Sequence, residues 1–153
     1  MDMNAIYVKT LNNNRAMLCF KNMKCDAYIG KNGITTNKIE GDKKTLLGGF
    51  ELGIAFGVNQ LEKIKIDNSI EYKRIEDTMF WVSDGESKYY NQLVNVVDNA
   101  CDWEEAEHLI EYPIEYELAV EIKINPKNIP YKGSAIFLHC SNNMPTSRMY
   151  CNR

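Results

Sequence analysis

The sequence contains no apolar run long enough to cross a membrane, which takes about 20 residues. Its start, Met1-Asp-Met-Asn-Ala-Ile-Tyr7, has neither the basic region nor the apolar region of a secretory signal. As written, the chain is expected to stay in the cytoplasm. Positive charge is also in deficit: the net charge is −3, and only four arginines occur, Arg15, Arg74, Arg148 and Arg153. That balance excludes a general attraction to nucleic acid or to an anionic membrane. No Cys-x-x-Cys pair is present, and the cysteines number five, an odd count. This excludes a disulfide framework and a zinc ribbon, and it leaves Cys19, Cys25 and Cys101 as expected small buried hydrophobes in a reducing compartment. His108 stands among Glu104, Glu105, Glu107 and Glu111 but lacks the His-Glu-x-x-His spacing of a metal site. A solvated acidic face is expected there, with no metal and no cofactor. Asp84-Gly85-Glu86 lacks the alternating oxygen ligands of a calcium loop and reads as a turn.

What the chain does have is an ordinary globular composition. At 153 residues, 44% hydrophobic and 25% charged, it is sized for one domain with a real core. No repeat, low-complexity tract or linker divides it. Richness in Asn, Lys and Ile points to an AT-rich genome. The pattern is mainly β. Ala5–Thr10 and Arg15–Phe20 flank Asn12-Asn-Asn14 and read as a hairpin. Asp26–Ile29 leads into a turn at Lys31-Asn-Gly33. From Tyr116 to Asn125, Tyr116, Leu118, Val120, Ile122 and Ile124 alternate with Glu117, Ala119, Glu121 and Lys123, the pattern of a half-buried strand. Two helical pieces are expected. One runs from Ser87 to Val97, with a cap at Ser87 and Tyr90, Leu93, Val94 and Val97 on one face. The other runs from Trp103 to Ile110 after a cap at Asp102.

The most informative stretch is Gly133-Ser-Ala-Ile-Phe-Leu-His139, followed by Pro145-Thr-Ser147 and the tail Arg148-Met-Tyr-Cys-Asn-Arg153. It resembles the L,D-transpeptidase catalytic-domain family of YkuD type. There a strand ends in His, and a loop Pro-Thr-(Ala/Ser)-Gly-Cys-(Val/Ile)-Ala carries the nucleophile. The likeness extends along the chain: Tyr28-Ile-Gly30, Lys31-Asn-Gly33, Lys38-Ile-Glu-Gly-Asp-Lys-Lys-Thr45 with Gly48, Phe56-Gly57, Trp81-Val-Ser-Asp84 with Ser87, and Tyr89-Tyr-Asn91. Leu46 replaces the usual Pro. The resemblance implies a mainly β fold, a β-sandwich with one or two short helices, forming one incomplete catalytic domain over 1–153. It also implies a transferase of cell-wall biogenesis acting outside the membrane, which conflicts with the missing leader unless an upstream segment has been lost.

In that family a cysteine thiolate attacks the diaminopimelate carbonyl of a peptidoglycan stem peptide and D-alanine leaves. A side-chain amine of a second stem then takes the acyl group, giving a 3→3 cross-link. A thiol of free pKa near ~8.5 needs a neighbouring imidazole to take its proton. His139 is the position carried over as general base; its face is shared with Ala135 and Phe137, while Cys140 points oppositely and is a poor substitute nucleophile. Arg148 and Met149 stand where Gly-Cys is expected. Cys151, two positions further, is the one displaced candidate nucleophile. Tyr90, Asn91, Thr146 and Ser147 are candidate substrate-binding positions, with packing and hydrogen bonding as equal roles for the first two.

The tail itself has a second reading. Met149 is encoded by ATG and the Tyr150 codon begins with T, so a frame starting one base later reads Cys at that point. Around it the shifted frame permits Gly, then Ile or Thr, then Ala or Val. A frameshift after Ser147 is therefore expected, removing the C-terminal part of the fold and leaving a strand edge unpaired. The expected function is an L,D-transpeptidase-type domain inactive in this copy, working as a monomer on stem peptides. The alternative is a non-catalytic peptidoglycan-binding or regulatory relative.

Overall fold

The computed structural model describes residues 4–59 and 69–141, and the backbone of 149–151. Three sheets account for the fold. Strands β1 (Tyr7–Thr10), β2 (Arg15–Phe20) and β3 (Met23–Tyr28) form an antiparallel meander. β4 (Ile34–Thr35) and β5 (Thr45–Leu46) make a small parallel pair. β6 (Leu52–Gly57), β7 (Tyr72–Arg74), β11 (Ala119–Ile122), β12 (Phe137–Cys140) and β13 (Met149–Cys151) complete an eight-stranded sheet of order β1-β2-β3-β13-β12-β11-β6-β7. β8 (Met79–Val82), β9 (Leu93–Asn95) and β10 (Ala106–His108) form a three-stranded sheet of order β10-β8-β9.

The architecture is mainly β and sandwich-like, as the alternating patterns imply. Its main core lies where Phe56, Ala119 and Phe137 of the large sheet meet Trp81 of the small one, with Ile75, Leu109, Tyr116 and Ala135. The aromatic rings pack edge to face: Phe56 to Phe137 at 4.9 Å, Trp81 to Phe137 at 4.7 Å and Phe56 to Tyr116 at 5.5 Å. Such pairs add about 0.5–1.5 kcal/mol each beyond burial. A second cluster, Ala16, Leu18, Ala27 and Ile29, covers the meander and takes in Ile6, Val8 and Leu138. Among the described residues no helix is long and apolar enough to cross a membrane.

The first hairpin forms as expected, closed by Leu11 N donating to the Arg15 carbonyl at 3.0 Å and turned at Asn13, φ 50°. The next turn, at Lys21-Asn22, has no glycine. Lys21 itself takes φ 52° there, a conformation that no residue pattern at this position announces. Gly33 turns with φ 82°, as the Asn-Gly pair implies. Gly30 is fixed by close approach: a Cβ there would sit 2.6 Å from the Lys43 carbonyl oxygen.

Three expectations are corrected. Ser87–Val97 is a run of turns ending in β9, not a helix. Ser87 Oγ does accept from Tyr89 N at 3.0 Å in a cap-like way. Asn91 then adopts φ 58°, which reverses the chain and leaves Val97 74% exposed. Trp103–Ile110 is β10 followed by a 3-10 turn over Leu109–Glu111, because Ala106, Glu107 and His108 pair with Val82, Trp81 and Phe80. Asp102 does not cap a helix of its own; it accepts the Ser87 hydroxyl at 2.5 Å and the Lys88 N–H at 3.4 Å. The strand expected over Tyr116–Asn125 is reduced to β11. A 3-10 turn holds Glu115–Glu117, and the register shifts between Val120 and Ile122. Ala119, 1% exposed, faces the core, whereas Leu118 is 36% exposed. The cysteines differ too: Cys101 is exposed, Cys19 is half-buried and Cys25 is disulfide-bonded. Residues 149–151 supply backbone inside the sheet, between β3 and β12, and the sheet's outer strands are β1 and β7.

Candidate functional site

β12 carries His139 as alternation requires. Phe137 and His139 are buried on the core face, and Cys140 turns the other way, its Sγ 3.7 Å from the Leu118 carbonyl. His139 is 4% exposed and lies edge-on to Tyr116, ring centres 5.5 Å apart. Its Nδ1 lies 2.9 Å from the Cys140 carbonyl, which fixes Nδ1–H as the donor. Burial pulls the imidazole down to about 4, against carbonyl contacts at Cys140 and Glu115 that favour the cation. At neutral pH the ring is therefore uncharged.

β13 runs parallel to β12 with Leu138 opposite Met149, His139 opposite Tyr150 and Cys140 opposite Cys151. The backbone of the expected nucleophile position thus adjoins the histidine strand. Cys151 lies one register step beyond His139. Thr146 and Ser147 lie outside the described residues.

Tyr90 and Asn91 brace the chain that leads to His139. Tyr90, 2% exposed, accepts from Gly133 N at 3.0 Å and donates to the Glu40 carboxylate. Burial first, then Glu40, raises its phenol well above the ordinary value, so it stays protonated. Asn91 uses its whole amide on protein. Its Oδ1 accepts from Trp81 Nε1 at 3.2 Å and from Ala135 N at 3.1 Å. Its Nδ2 donates to the Asn125 carbonyl at 3.3 Å and to Asn128 Oδ1 at 3.1 Å. Ala135 takes φ 53° and Gly133 φ 102°, so this segment is a shaped loop rather than strand.

Asn125, which the sequence did not single out as a site residue, and Lys38 with Asp42 complete the network. Asn125, 5% exposed, donates to the carbonyls of Ile129 at 2.9 Å and Gly133 at 3.2 Å. Lys38, 7% exposed, is neutralised by Asp42 and donates to the Lys44 carbonyl at 2.9 Å. Burial works to raise the Asp42 carboxyl, but Lys38 and the N–H groups of Lys44 and Ile39 outweigh it and hold it below its ordinary range. For Lys38 and Asp42 the sequence signal is their place in the segment Lys38–Thr45; Asn125 carries none.

A cleft of about 730 Å³ opens elsewhere, on the Leu138 side of the sheet, lined by Ile6, Val8, Leu46, Phe50, Leu52 and Leu138 among others. His139 is not part of it. Among the described residues no group of three His, Cys, Asp or Glu is placed to hold a metal ion. Compared with known proteins, the chain matches no family model, no curated protein and no solved structure.

Proposed function

We propose that the chain carries an L,D-transpeptidase-type domain for peptidoglycan stem peptides, inactive here because Arg148-Met149 stand in place of Gly-Cys. One observation carries the reading: three motif segments far apart in sequence, 38–45, 81–91 and 133–139, close on one another through Tyr90 and Asn91. β13 runs parallel to β12 and brings the backbone of the tail beside the histidine strand, with Tyr150 opposite His139 and position 149 opposite Leu138.

The chemistry divides between those strands. In this reading a thiol at position 149 would give its proton to the neutral His139 imidazole, which takes a one-residue shift of β13 from the register that sets 149 opposite Leu138, on the face away from His139. The thiolate would attack the diaminopimelate carbonyl. The bond to D-alanine would break, its amine taking the proton back from the imidazolium. The amine of a second stem would then attack the thioester, give its proton to the imidazole, release the thiolate and form the cross-link. Backbone N–H groups beside position 149 are the candidates to hold the oxyanion. A thioether has no ionisable hydrogen, so Met149 cannot begin this sequence.

The alternative, a non-catalytic peptidoglycan-binding or regulatory relative, is favoured by the burial of His139 behind Tyr116. Intact-protein mass spectrometry after incubation with a carbapenem separates the two. The expected outcome is no adduct on this chain and an adduct on the double variant Arg148→Gly, Met149→Cys, with D-alanine released from tetrapeptide stems. An adduct on this chain mapped to Cys151, and abolished by both Cys151→Ser and His139→Ala, would assign the displaced cysteine as nucleophile. No adduct on a folded double variant overturns the enzyme reading.

A further inference from the structure

β1 is an outer strand of the large sheet and pairs only with β2 among the described residues. The hairpin bond from Leu11 N to the Arg15 carbonyl sets the parity of its ladder. Counting back from it, Lys9 and Tyr7 exchange hydrogen bonds with Met17 and Cys19, so the N–H and C=O groups of Val8 and Thr10 point away from the sheet. Those same residues border the 730 Å³ cleft, as do consecutive residues Ala5 to Val8. Its lining also includes Leu46, Leu47, Phe50 and Leu52, of which Leu47 is 61% exposed. A row of outward backbone groups therefore runs along one side of an apolar trough. A free strand edge accepts another strand, and alternate side chains of that strand fill the neighbouring pockets.

We propose that this trough binds an extended peptide segment that adds to β1, with apolar side chains at alternate positions entering the cleft and an acidic residue opposite Lys9. The acidic residue follows from charge. Lys9 is exposed and lies between Val8 and Thr10, on the opposite face of β1. A peptide residue set across from it is its nearest cross-strand neighbour, where unlike charge is favourable and like charge is not. The same lysine opposes a second copy of the chain: two β1 strands paired antiparallel about Lys9 would set the lysines side by side. The proposal does not depend on the acyl-transfer reading, because the trough lies on the Leu138 side of the sheet and His139 on the other.

The test uses the whole protein and a labelled synthetic strand, acetyl-Ser-Val-Glu-Val-Ser-amide, read by fluorescence anisotropy. Saturable binding is expected. Methylating the two valine amide nitrogens, which in this pairing face Val8 and Thr10, is expected to weaken it at least tenfold with no change to the protein. Lys9→Glu is expected to weaken the Glu peptide by about threefold and to improve its Lys counterpart, in line with cross-strand charge pairs. Val8→Pro, checked for folding by near-ultraviolet circular dichroism, removes one outward N–H and is expected to reproduce the loss. Equal affinity for the methylated peptide, no binding of the parent peptide, or dimerisation of the free chain abolished by Val8→Pro would each overturn the proposal.

Discussion

Replacing Asn91 tests the brace that shapes the approach to β12. Its Oδ1 is the acceptor for two N–H groups whose residues are buried, Trp81 at 2% and Ala135 at 4% exposure. A buried donor left without a partner costs about 1–3 kcal/mol. Losing two gives about 2–6 kcal/mol, and the lower half is expected, since water can reach the half-buried Asn91 site. The half-buried Asn128 amide oxygen adds little, and the carbonyl of Asn125, a residue 5% exposed, keeps the loss from falling to the bottom of that range. Backbone conformation enters separately. Asn91 sits at φ 58°, where Asn is tolerated, Gly is free and Ala is penalised by about 1–2 kcal/mol. Asn91→Gly therefore isolates the hydrogen bonds and is expected to lose about 3 kcal/mol. Asn91→Ala adds the backbone penalty, for about 4 kcal/mol. Urea unfolding followed by Trp81 and Trp103 fluorescence measures both, given a two-state transition with an unchanged slope. A loss below about 1 kcal/mol for Asn91→Gly would refute the bracing argument. Equal losses for the two variants would refute the backbone part alone.

Two further predictions follow from burial. His139 has its folded pKa depressed to about 4 against an ordinary 6.5, so between those values the unfolded chain binds a proton that the folded chain refuses. Stability is thus fully present above about 6.5 and falls as pH drops toward 4, by at most about 3 kcal/mol at 1.36 kcal/mol per pKa unit. His108 works in the opposite sense, its pKa raised chiefly by the Asp77 carbonyl. The His139 contribution is therefore isolated by comparing pH–stability curves of the parent and His139→Phe, and a slope unchanged by that substitution would exclude it. Gly30→Ala places a methyl against the Lys43–Lys44 backbone, which cannot give as a flexible side chain would. A loss of about 1–3 kcal/mol, the usual range for overpacking, is expected in thermal melts. An unchanged melting temperature would mean that the 43–45 segment moves aside freely.

The parts of the fold that follow from local repetition were legible in the sequence. Alternation across Phe137, Leu138, His139 and Cys140 places His139 on the core face and Cys140 opposite, and that is what the burial of β12 shows. Asn12-Asn-Asn14 and Asn32-Gly33 mark turns because their residues adopt positive φ at little cost. The failures share a different cause. Tyr90 and Val94 fit one helical face, but they are buried equally well by a turn followed by β9, and spacing cannot choose between the two. What chooses is Asn91, held in its left-handed conformation by partners 10, 34, 37 and 44 residues away. Alternation over Tyr116–Ile124 failed for a related reason. The strand enters from a 3-10 turn that buries Tyr116 beneath Phe56 and Phe137, so Ala119 rather than Leu118 faces the core.

The candidate site sits at the meeting point of these two kinds of information. The period of two places the histidine, and long-range hydrogen bonds place the loop from Gly133 to Ala135 that feeds it. A sequence scan finds the first and sees the second only as separate motifs. Tyr90 and Asn91 bond the backbone of that loop directly, and Glu40 acts on it through the Tyr90 hydroxyl. Their convergence gives them one shared physical role, which is to fix the backbone that enters β12 and hence the position of His139. That role holds whether or not a thiol is present at position 149. It predicts that Asn91→Gly in the Arg148→Gly, Met149→Cys background slows acylation by more than its loss of stability accounts for. Under conditions where both proteins are fully folded, equal acylation rates would reduce Asn91 to a purely structural residue.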